Sequence, residues 1–518
     1  MKNKENNQFV LNMCSSILAF LINIGLQFII TPILTKQIGD EAYGFITIAN
    51  DFTSYASIFA TILNSVAARY IGVELHKKNN DKAQEYYNSI LFGNFIISFV
   101  LVALSGIFIW KFDTFLNISS DIYQDVVILF ILTFTNYIIS IIVSLFSVSA
   151  YVSNRLDLTS IRTIISNIIK LVCIIFLFVV LPAVKVYYLA IATILSTIYI
   201  GFSNARLSKK LIPELKWVKG KHKLRLIYDL IKTGVWMTVN NLSNVLSGNI
   251  VTVLINIYIS SSKAGFYSVA RTLPNCANSF VYTLYNIFVP TYLKLYAEGK
   301  KQELVDYAKF SIKIMTFILG VPFVVVCILG TEFIGLWQSY RSVEEIELLG
   351  KILKISMVLI ILYTPVLPLS QLGLITNKIK WQTINNLFIS VASVVSVYVM
   401  LAYTKMELIG ITVAMVVVQG LKWISFTPIY AAWVIEISPF TFWTLNVKMI
   451  CSELIVGLAL YIINNKLLCA VNNWFYLILN IIILCFIGYI VMAIMIFNKK
   501  DWSAFKNKIK KVLDKDET

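Results

Sequence analysis

Charged residues are scarce in this chain of 518 residues, and histidine is nearly absent. Only 14% of the residues are Asp, Glu, Lys or Arg, and the two histidines, His76 and His222, both fall in basic loops. The seven cysteines are scattered without a C-x-x-C spacing, so they predict neither a disulfide framework nor a zinc site. The phosphate-binding pattern G-x-x-x-x-G-K-[ST] does not occur. We therefore expect no metal, no cofactor and no ATP-driven step in this chain.

Apolar residues make up 58% of the chain, and the mean hydropathy is +0.78. A soluble domain has roughly 45–50% apolar and about 25% charged residues. Runs of about 20 apolar residues recur along the whole length, and each could cross the hydrocarbon core of a bilayer. The composition predicts an all-α polytopic membrane protein with about 14 transmembrane helices. The net charge of +17 is then a signal of topology and of attraction to anionic lipid headgroups rather than of nucleic-acid binding.

Most Lys and Arg residues fall in alternate exposed segments, beginning with the N-terminus and including the long loop 206–232 and the end of the chain. Positively charged loops tend to stay on the cytoplasmic side. We therefore expect both termini and the central loop in the cytoplasm, and the protein in the inner (plasma) membrane.

The chain contains an internal repeat with an offset of 222 positions. Without gaps, several residues of the first 90 positions match identical residues later in the chain: Ala42 with Ala264, Asn64 with Asn286, Tyr70 with Tyr292, Ser89 with Ser311, and Ile90 with Ile312. A fixed offset over two helices and the following loop indicates a duplication.

The repeat predicts the domain organisation. We expect a six-helix lobe at 1–205, a basic linker at 206–232, a second six-helix lobe at 233–444, two additional helices at 445–498 and a basic tail at 499–518. An even number of spans makes both lobes enter the membrane from the same side, as in two-lobed transporters that handle substrate between the lobes. The first two helices of each repeat are the most polar, so we expect them to line that cavity.

Short motifs recur at span ends. They are the run 38–44 (IGDEAYG) after the first span, 264–267 (AGFY) after the seventh, 288–290 (FVP) and 336–337 (LW). Together with the span pattern, they make the chain resemble the multidrug/oligosaccharidyl-lipid/polysaccharide flippase superfamily, in its polysaccharide transporter (O-antigen flippase-like) branch. The resemblance implies a transporter that moves an undecaprenyl-pyrophosphate-linked oligosaccharide from the inner to the outer leaflet by alternating access. It also implies coupling to H⁺ or Na⁺, and we expect a monomer.

A lipid-linked diphosphate sugar is a large anion, so candidate substrate-binding residues are cations inside spans. Lys170 and Arg162 lie eight residues apart in one span and share one half of that helix. Arg69, at the inner end of the second span, is a further candidate. The alternative is that Arg162 lies at the headgroups and that Arg69 only anchors the topology.

Asp51 and Arg271 occupy nearly equivalent positions in the two repeats. We expect them to form an outer gate or to take part in coupling, and Arg271 also to contact substrate, because ionisable residues in spans usually face a cavity or a partner. The alternative for Arg271 is that its side chain extends to the outer headgroups.

Amide side chains suit sugar hydroxyls, because they both donate and accept hydrogen bonds. Asn240, Asn241 and Asn244 provide them in span 7, and the polar face of span 1, which includes Asn12 and Ser16, provides others. The alternative for all of them is hydrogen bonding between helices.

Three other functions compete with this interpretation. A lipid II flippase and a multidrug antiporter share the fold, although an antiporter usually needs several carboxylates within the membrane. A polysaccharide polymerase or ligase would need a large outer loop with catalytic residues, and the longest outer loop, about 330–351, has no such set. We therefore expect a transporter and not an enzyme.

Overall fold

The computed structural model describes residues 2–181, 184–218, 220–404 and 407–497, although the side chains of some helical residues are not described. These residues form 21 α-helices, joined by short turns. They are α1 (Lys2–His76), α2 (Asn80–Trp110), α3 (Phe112–Phe115), α4 (Tyr123–Ser144), α5 (Val148–Val152), α6 (Leu156–Ile175), α7 (Tyr188–Leu211), α8 (Leu224–Gly248), α9 (Ile250–Tyr258), α10 (Ser261–Ala270), α11 (Thr272–Tyr285), α12 (Val289–Ala297), α13 (Lys301–Met315), α14 (Val321–Trp337), α15 (Val343–Tyr363), α16 (Ser370–Ile375), α17 (Lys380–Tyr403), α18 (Glu407–Leu421), α19 (Thr427–Val434), α20 (Phe440–Leu467) and α21 (Trp474–Ile496).

The apolar runs that the sequence predicts to cross the membrane are helical where the structure describes them. Among the described residues, 10 helical stretches are long and apolar enough to cross a membrane, or 11 if the bent pair Val343–Tyr363 and Leu367–Ile375 is one span. One of the 10, Cys14–Ala60, covers two predicted spans in a single stretch of 47 residues. The prediction of an all-α polytopic membrane protein is confirmed. The predicted tail, 499–518, lies outside the described residues.

Helix α1 is two helices joined at Gly39. Its 75 residues continue through Pro32, but Gly39 has φ +78° and ψ +170°, which no helical residue adopts. Glycine reaches positive φ without the steric penalty of a Cβ atom. The break lies in the run 38–44, which follows the first span predicted from the sequence.

Helix boundaries repeat along the chain with nearly the predicted offset. Helices α2, α4, α6 and α7 begin at Asn80, Tyr123, Leu156 and Tyr188, and their counterparts begin at Lys301, Val343, Lys380 and Glu407. Each pair lies within three residues of a separation of 222 positions. The turn before the first pair also recurs, with positive φ at Lys78 (+59°) and at Gly299 (+69°).

The chain folds into two compact units, Met1–Ser268 and Val269–Thr518. In the first unit, α1 packs against α2, α4, α6 and α8. In the second unit, α14 packs against α15, α20 and α21. Three short stretches have the wider π-helical winding: Phe176–Val180, Thr316–Gly320 and Lys422–Phe426.

Candidate transport site

Lys170 lies on the side of α6 that faces the interior of the first unit. The exposed apolar residues of α6 recur every three or four positions and form one face: Ile161, Ile165, Ile168, Val172 and Ile175. At about 100° per residue, Lys170 projects from the opposite side of the helix. One turn earlier on α6, Ser166 donates a hydrogen bond to the Ser196 carbonyl of α7 over 3.0 Å. Lys170 therefore points away from the apolar face that suits lipid.

The ammonium group of Lys170 has no hydrogen-bond or ion-pair partner among the described residues, although the side chain is only half-exposed. Arg162 differs, because its Nη1 donates to the Leu158 carbonyl of its own helix over 2.6 Å, while its Nε is buried without a partner. An unpaired cation inside a helical bundle is costly unless water or an anion reaches it. Lys170 is thus the cation of this pair that is available to an anionic ligand.

The three candidate asparagines lie on α8, in the same compact unit as Lys170. Asn244 is exposed, and Asn240 and Asn241 are half-exposed. Asn241 and Asn244 have no hydrogen-bond partner among the described residues. Their amides therefore do not hold helices together and are free to bind a polar ligand. The side chain of the remaining basic candidate, Arg69, lies outside the described part of the structure.

Asp51 and Arg271 belong to different compact units. Asp51 is 9% exposed and lies on the part of α1 that follows Gly39. Arg271 lies between α10 and α11, with φ −80° and ψ −10°, and its carbonyl accepts from the Asn275 amide over 2.9 Å. Their pairing as a gate stays a prediction.

Two family motifs that lie far apart in the sequence meet in the first unit. Glu41, in the run 38–44, accepts hydrogen bonds from the hydroxyl groups of Ser119 and Ser261, the latter over 2.8 Å. Beside it, the backbone nitrogen of Asn117 donates to the side-chain Oδ1 of Asn256 over 3.1 Å. We call these five residues the Glu41 junction. It ties α1 to the segment before α4 and to the turn between α9 and α10.

Next to the Glu41 junction, Gly44 and Gly265 allow the backbones of α1 and α10 to come into direct contact. A Cβ atom on Gly265 would lie 1.7 Å from the Asp40 carbonyl oxygen, and one on Gly44 would lie 2.7 Å from the Gly265 nitrogen. Real Cβ atoms do not approach backbone this closely, so no other residue fits at position 265 without displacing a helix. Both motifs are evident in the sequence, but their packing against each other was not predicted.

The second unit contains a polar and aromatic cluster that was not predicted from the sequence. The Lys422 Nζ lies 4.0 Å from the centre of the Trp423 ring, and the Trp423 ring lies 5.3 Å from that of Tyr363. The Tyr363 hydroxyl in turn donates to Asn278. Lys422 has no other partner among the described residues. A lysine in the middle of the apolar run 408–432 was the signal that could have identified it.

Comparisons with known proteins agree with this architecture. The model of the family described as "Polysaccharide biosynthesis protein" matches residues 9–296, more than half of the chain. An uncharacterized membrane protein of Bacillus subtilis (strain 168), EpsK, is 24% identical over 428 residues, which are 82% of this chain and 83% of that protein.

Two solved structures share the fold at low sequence identity. The lipid II flippase MurJ in an inward closed conformation matches with a TM-score of 0.65 and 15% identity, over 93% of this chain and 98% of that one. A multidrug resistance MATE family transporter of the MOP superfamily, in its inward-facing conformation, also matches with a TM-score of 0.65. It is 13% identical over 82% of this chain and 98% of that one. The chain belongs to the polysaccharide biosynthesis protein family and has the multi-span fold of MATE and MurJ transporters.

Proposed function

We propose that this protein is a flippase that moves an undecaprenyl-pyrophosphate-linked oligosaccharide from the inner to the outer leaflet by alternating access. The observation that carries the proposal is Lys170, an ammonium group on the interior side of α6 with no partner among the described residues. A diphosphate would supply the missing charge. Charge-assisted hydrogen bonds between an ammonium and phosphate oxygens are about twice as strong as neutral ones.

Polar side chains elsewhere in the first unit suit the sugar part of such a ligand. Asn241 and Asn244 offer amide donors and acceptors on α8 of the same unit. The second unit has its own cation over an aromatic ring, Lys422 over Trp423. A head group that combines charge and hydroxyl groups needs both kinds of partner, whereas a hydrophobic drug cation would be repelled by the lysines.

The Glu41 junction has a role in the proposed cycle. With the N-terminus in the cytoplasm, the first arm of α1 crosses the membrane once before Gly39, so the junction lies at the outer end. We infer that these hydrogen bonds hold that end closed and that they break before the head group leaves. Coupling to H⁺ or Na⁺ and a monomeric state belong to the same proposal.

Substitution of Lys170 tests the proposal in proteoliposomes that contain an undecaprenyl-pyrophosphate-linked oligosaccharide. We expect Lys170→Ala to lower the translocation rate at least tenfold, which corresponds to about 1.4 kcal/mol, and Lys170→Arg to retain most of it. Lys209→Ala is the matched control, because Lys209 is exposed near the end of α7. An unchanged rate in Lys170→Ala would contradict the proposal.

The gate between Asp51 and Arg271 has its own test. If the two side chains pair during the cycle, Asp51→Arg and Arg271→Asp should each reduce translocation, and the double swap should restore part of it. Full activity of Asp51→Asn would remove the gate from the mechanism without affecting the role of Lys170.

Lipid II is the second candidate substrate, because the match to MurJ extends over 93% of this chain. Both substrates carry a diphosphate on a polyprenyl chain, so Lys170 would serve either one. Parallel assays with lipid II and with a longer lipid-linked oligosaccharide distinguish them. Transport of lipid II alone would favour a role in cell-wall synthesis.

A further inference from the structure

Glu453 is a carboxyl group buried within the second unit. It lies near the middle of α20, is 1% exposed, and both of its oxygens lack a hydrogen-bond partner among the described residues. An ionised carboxylate in such surroundings would lose its hydration without compensation, at a cost of many kcal/mol. A bound proton would remove this cost.

Glu453 meets the second repeat at a specific point. A Cβ atom on Gly320 would lie 2.5 Å from the Glu453 Oε1, so this glycine leaves the space that the carboxyl group occupies. Gly320 is the last residue of the π-helical stretch Thr316–Gly320. π-Helical turns often occur at functional sites.

Helix α20 places a buried polar side chain against each of two π-helical stretches. Asn446, two turns before Glu453 and on the same face, donates to the Trp423 carbonyl within Lys422–Phe426 over 3.4 Å. The Tyr489 hydroxyl of α21 donates to the Ile318 carbonyl within Thr316–Gly320 over 3.0 Å. Side chains of α20 and α21 thus donate hydrogen bonds to backbone carbonyl groups in the two π-helical stretches of the second repeat.

Within the part of the chain that the structure describes, no charged group neutralises Glu453. Ionisable side chains are present on the elements packed against it and on α20 itself, but none forms a hydrogen bond or ion pair with it among the described residues. They include Lys313 on α13, Cys327 and Glu332 on α14, Lys351 and Lys354 on α15, Lys422 on the π-helical stretch before α19, Tyr430 on α19, Cys485 and Tyr489 on α21, and Lys448 and Cys451 on α20. A proton is therefore the ligand that fits the site.

We propose that Glu453 is a proton-binding site, protonated in this conformation, which releases its proton to water when α20 separates from the stretch Thr316–Gly320. This inference rests on the proposed transport function, in which that separation is a step of the cycle. In this proposal, the proton that drives transport binds at α20 and the second repeat, whereas the substrate binds at Lys170 in the first unit.

Infrared difference spectroscopy of the full-length protein in lipid nanodiscs tests the protonation. Acidic-minus-alkaline spectra of the wild type should show the carbonyl stretching band of a buried carboxylic acid, and Glu453→Gln, which keeps the shape of the neutral acid, should lack it. The matched control, Glu347→Gln, changes an exposed carboxyl group and should keep the band. A band that persists in Glu453→Gln, or a wild type without the band, overturns the proposal. If Glu453→Gln fails to fold, Glu453→Asp should shift the band.

A translocation assay with a lipid-linked oligosaccharide and an imposed proton gradient tests the coupling. The wild type should respond to the gradient by up to about tenfold per pH unit, since one pH unit is worth 1.36 kcal/mol per proton. Glu453→Gln should translocate without this response. An equal response in both proteins overturns the coupling. A wild type that moves no glycolipid contradicts the proposed function instead, and leaves the infrared result standing.

Discussion

Equivalent helices of the two repeats differ in their winding. In the first repeat, α2 is regular over 31 residues, from Asn80 to Trp110. In the second, the same region is α13, the π-helical stretch Thr316–Gly320 and α14. The second version is the one that contacts α20 and α21. In this region, the wider winding occurs in the repeat on which the two additional helices pack.

The same contrast appears a second time. The regular helix α7 of the first repeat corresponds to α18, the stretch Lys422–Phe426 and α19 in the second. Both π-helical stretches of the second repeat contact α20. A π turn widens the helix and frees a carbonyl group, and here Tyr489 and Asn446 bind the carbonyl groups of Ile318 and Trp423.

The largest stability effect that would sharpen this comparison is expected at Gly320. Gly320→Ala should destabilise the protein by about 1–3 kcal/mol through overpacking against Glu453, measured by chemical unfolding in detergent. The equivalent Ser98→Ala in α2 should change stability by less than about 0.5 kcal/mol, because the buried Ser98 hydroxyl has no partner among the described residues. A more stable Gly320→Ala, as helix propensity alone predicts, would contradict the close contact.

A smaller effect is expected at the second lysine. Lys422 already has the Trp423 ring as a partner, so we expect Lys422→Ala to lower translocation about three- to tenfold, and Lys422→Arg to lower it little. Lys170, which lacks such a partner, should show the larger loss in the same assay. If the order were reversed, the second unit would hold the main anion site.

The equivalent serines of the two repeats, Ser89 and Ser311, should differ by about 1 kcal/mol in their coupling energy with a nearby tyrosine. The Tyr292 and Ser311 hydroxyl groups are 2.5 Å apart and buried, whereas Ser89 accepts a hydrogen bond from the Lys223 backbone over 3.0 Å. A double-mutant cycle of Tyr292→Phe and Ser311→Ala should give a coupling energy of about 0.5–1.5 kcal/mol. The cycle of Tyr70→Phe and Ser89→Ala should give none, and a similar coupling there would mean that both repeats use the same bond.

A comparably small effect is expected at the repeated turn. Gly299→Ala should cost about 1 kcal/mol, because φ is +69° there. Lys78→Gly should stabilise the equivalent turn by up to about 1 kcal/mol, since Lys78 holds φ +59°. Thermal unfolding of both variants checks the opposite signs. Equal signs would show that the two turns are not equivalent.

The sequence predicted the helices because apolar runs and the 222-residue offset are properties of the chain alone. It also placed the run 38–44, in which the break at Gly39 lies, after the first span. It could not predict that α1 continues to His76, since charged residues are equally compatible with a helix that extends into water. The two π-helical stretches of the second repeat were not predictable either, because they depend on contacts with α20.

The residues of the candidate site could be predicted from the sequence, but the contacts that they make could not. Lys170, Asn241 and Asn244 were found because polar groups are rare in apolar spans. Asn12 and Ser16 were found by the same signal, yet Asn12 donates to Asn154 over 2.9 Å and Ser16 lies 3.2 Å from Ser160. These two join helices, as their alternative interpretation held. Sequence alone cannot separate the two uses, because both need a polar side chain on an interior face.

The contact at Gly265 offers a way to trap the opposite conformation. The Asp40 carbonyl leaves no room for a methyl group at position 265, so a larger residue there acts as a wedge at one end of the molecule only. Gly265→Val should therefore increase the fraction of protein in which α10 is separated from the Asp40 region of α1. Such a population would give crystallographers and microscopists a second state of the cycle without any bound inhibitor.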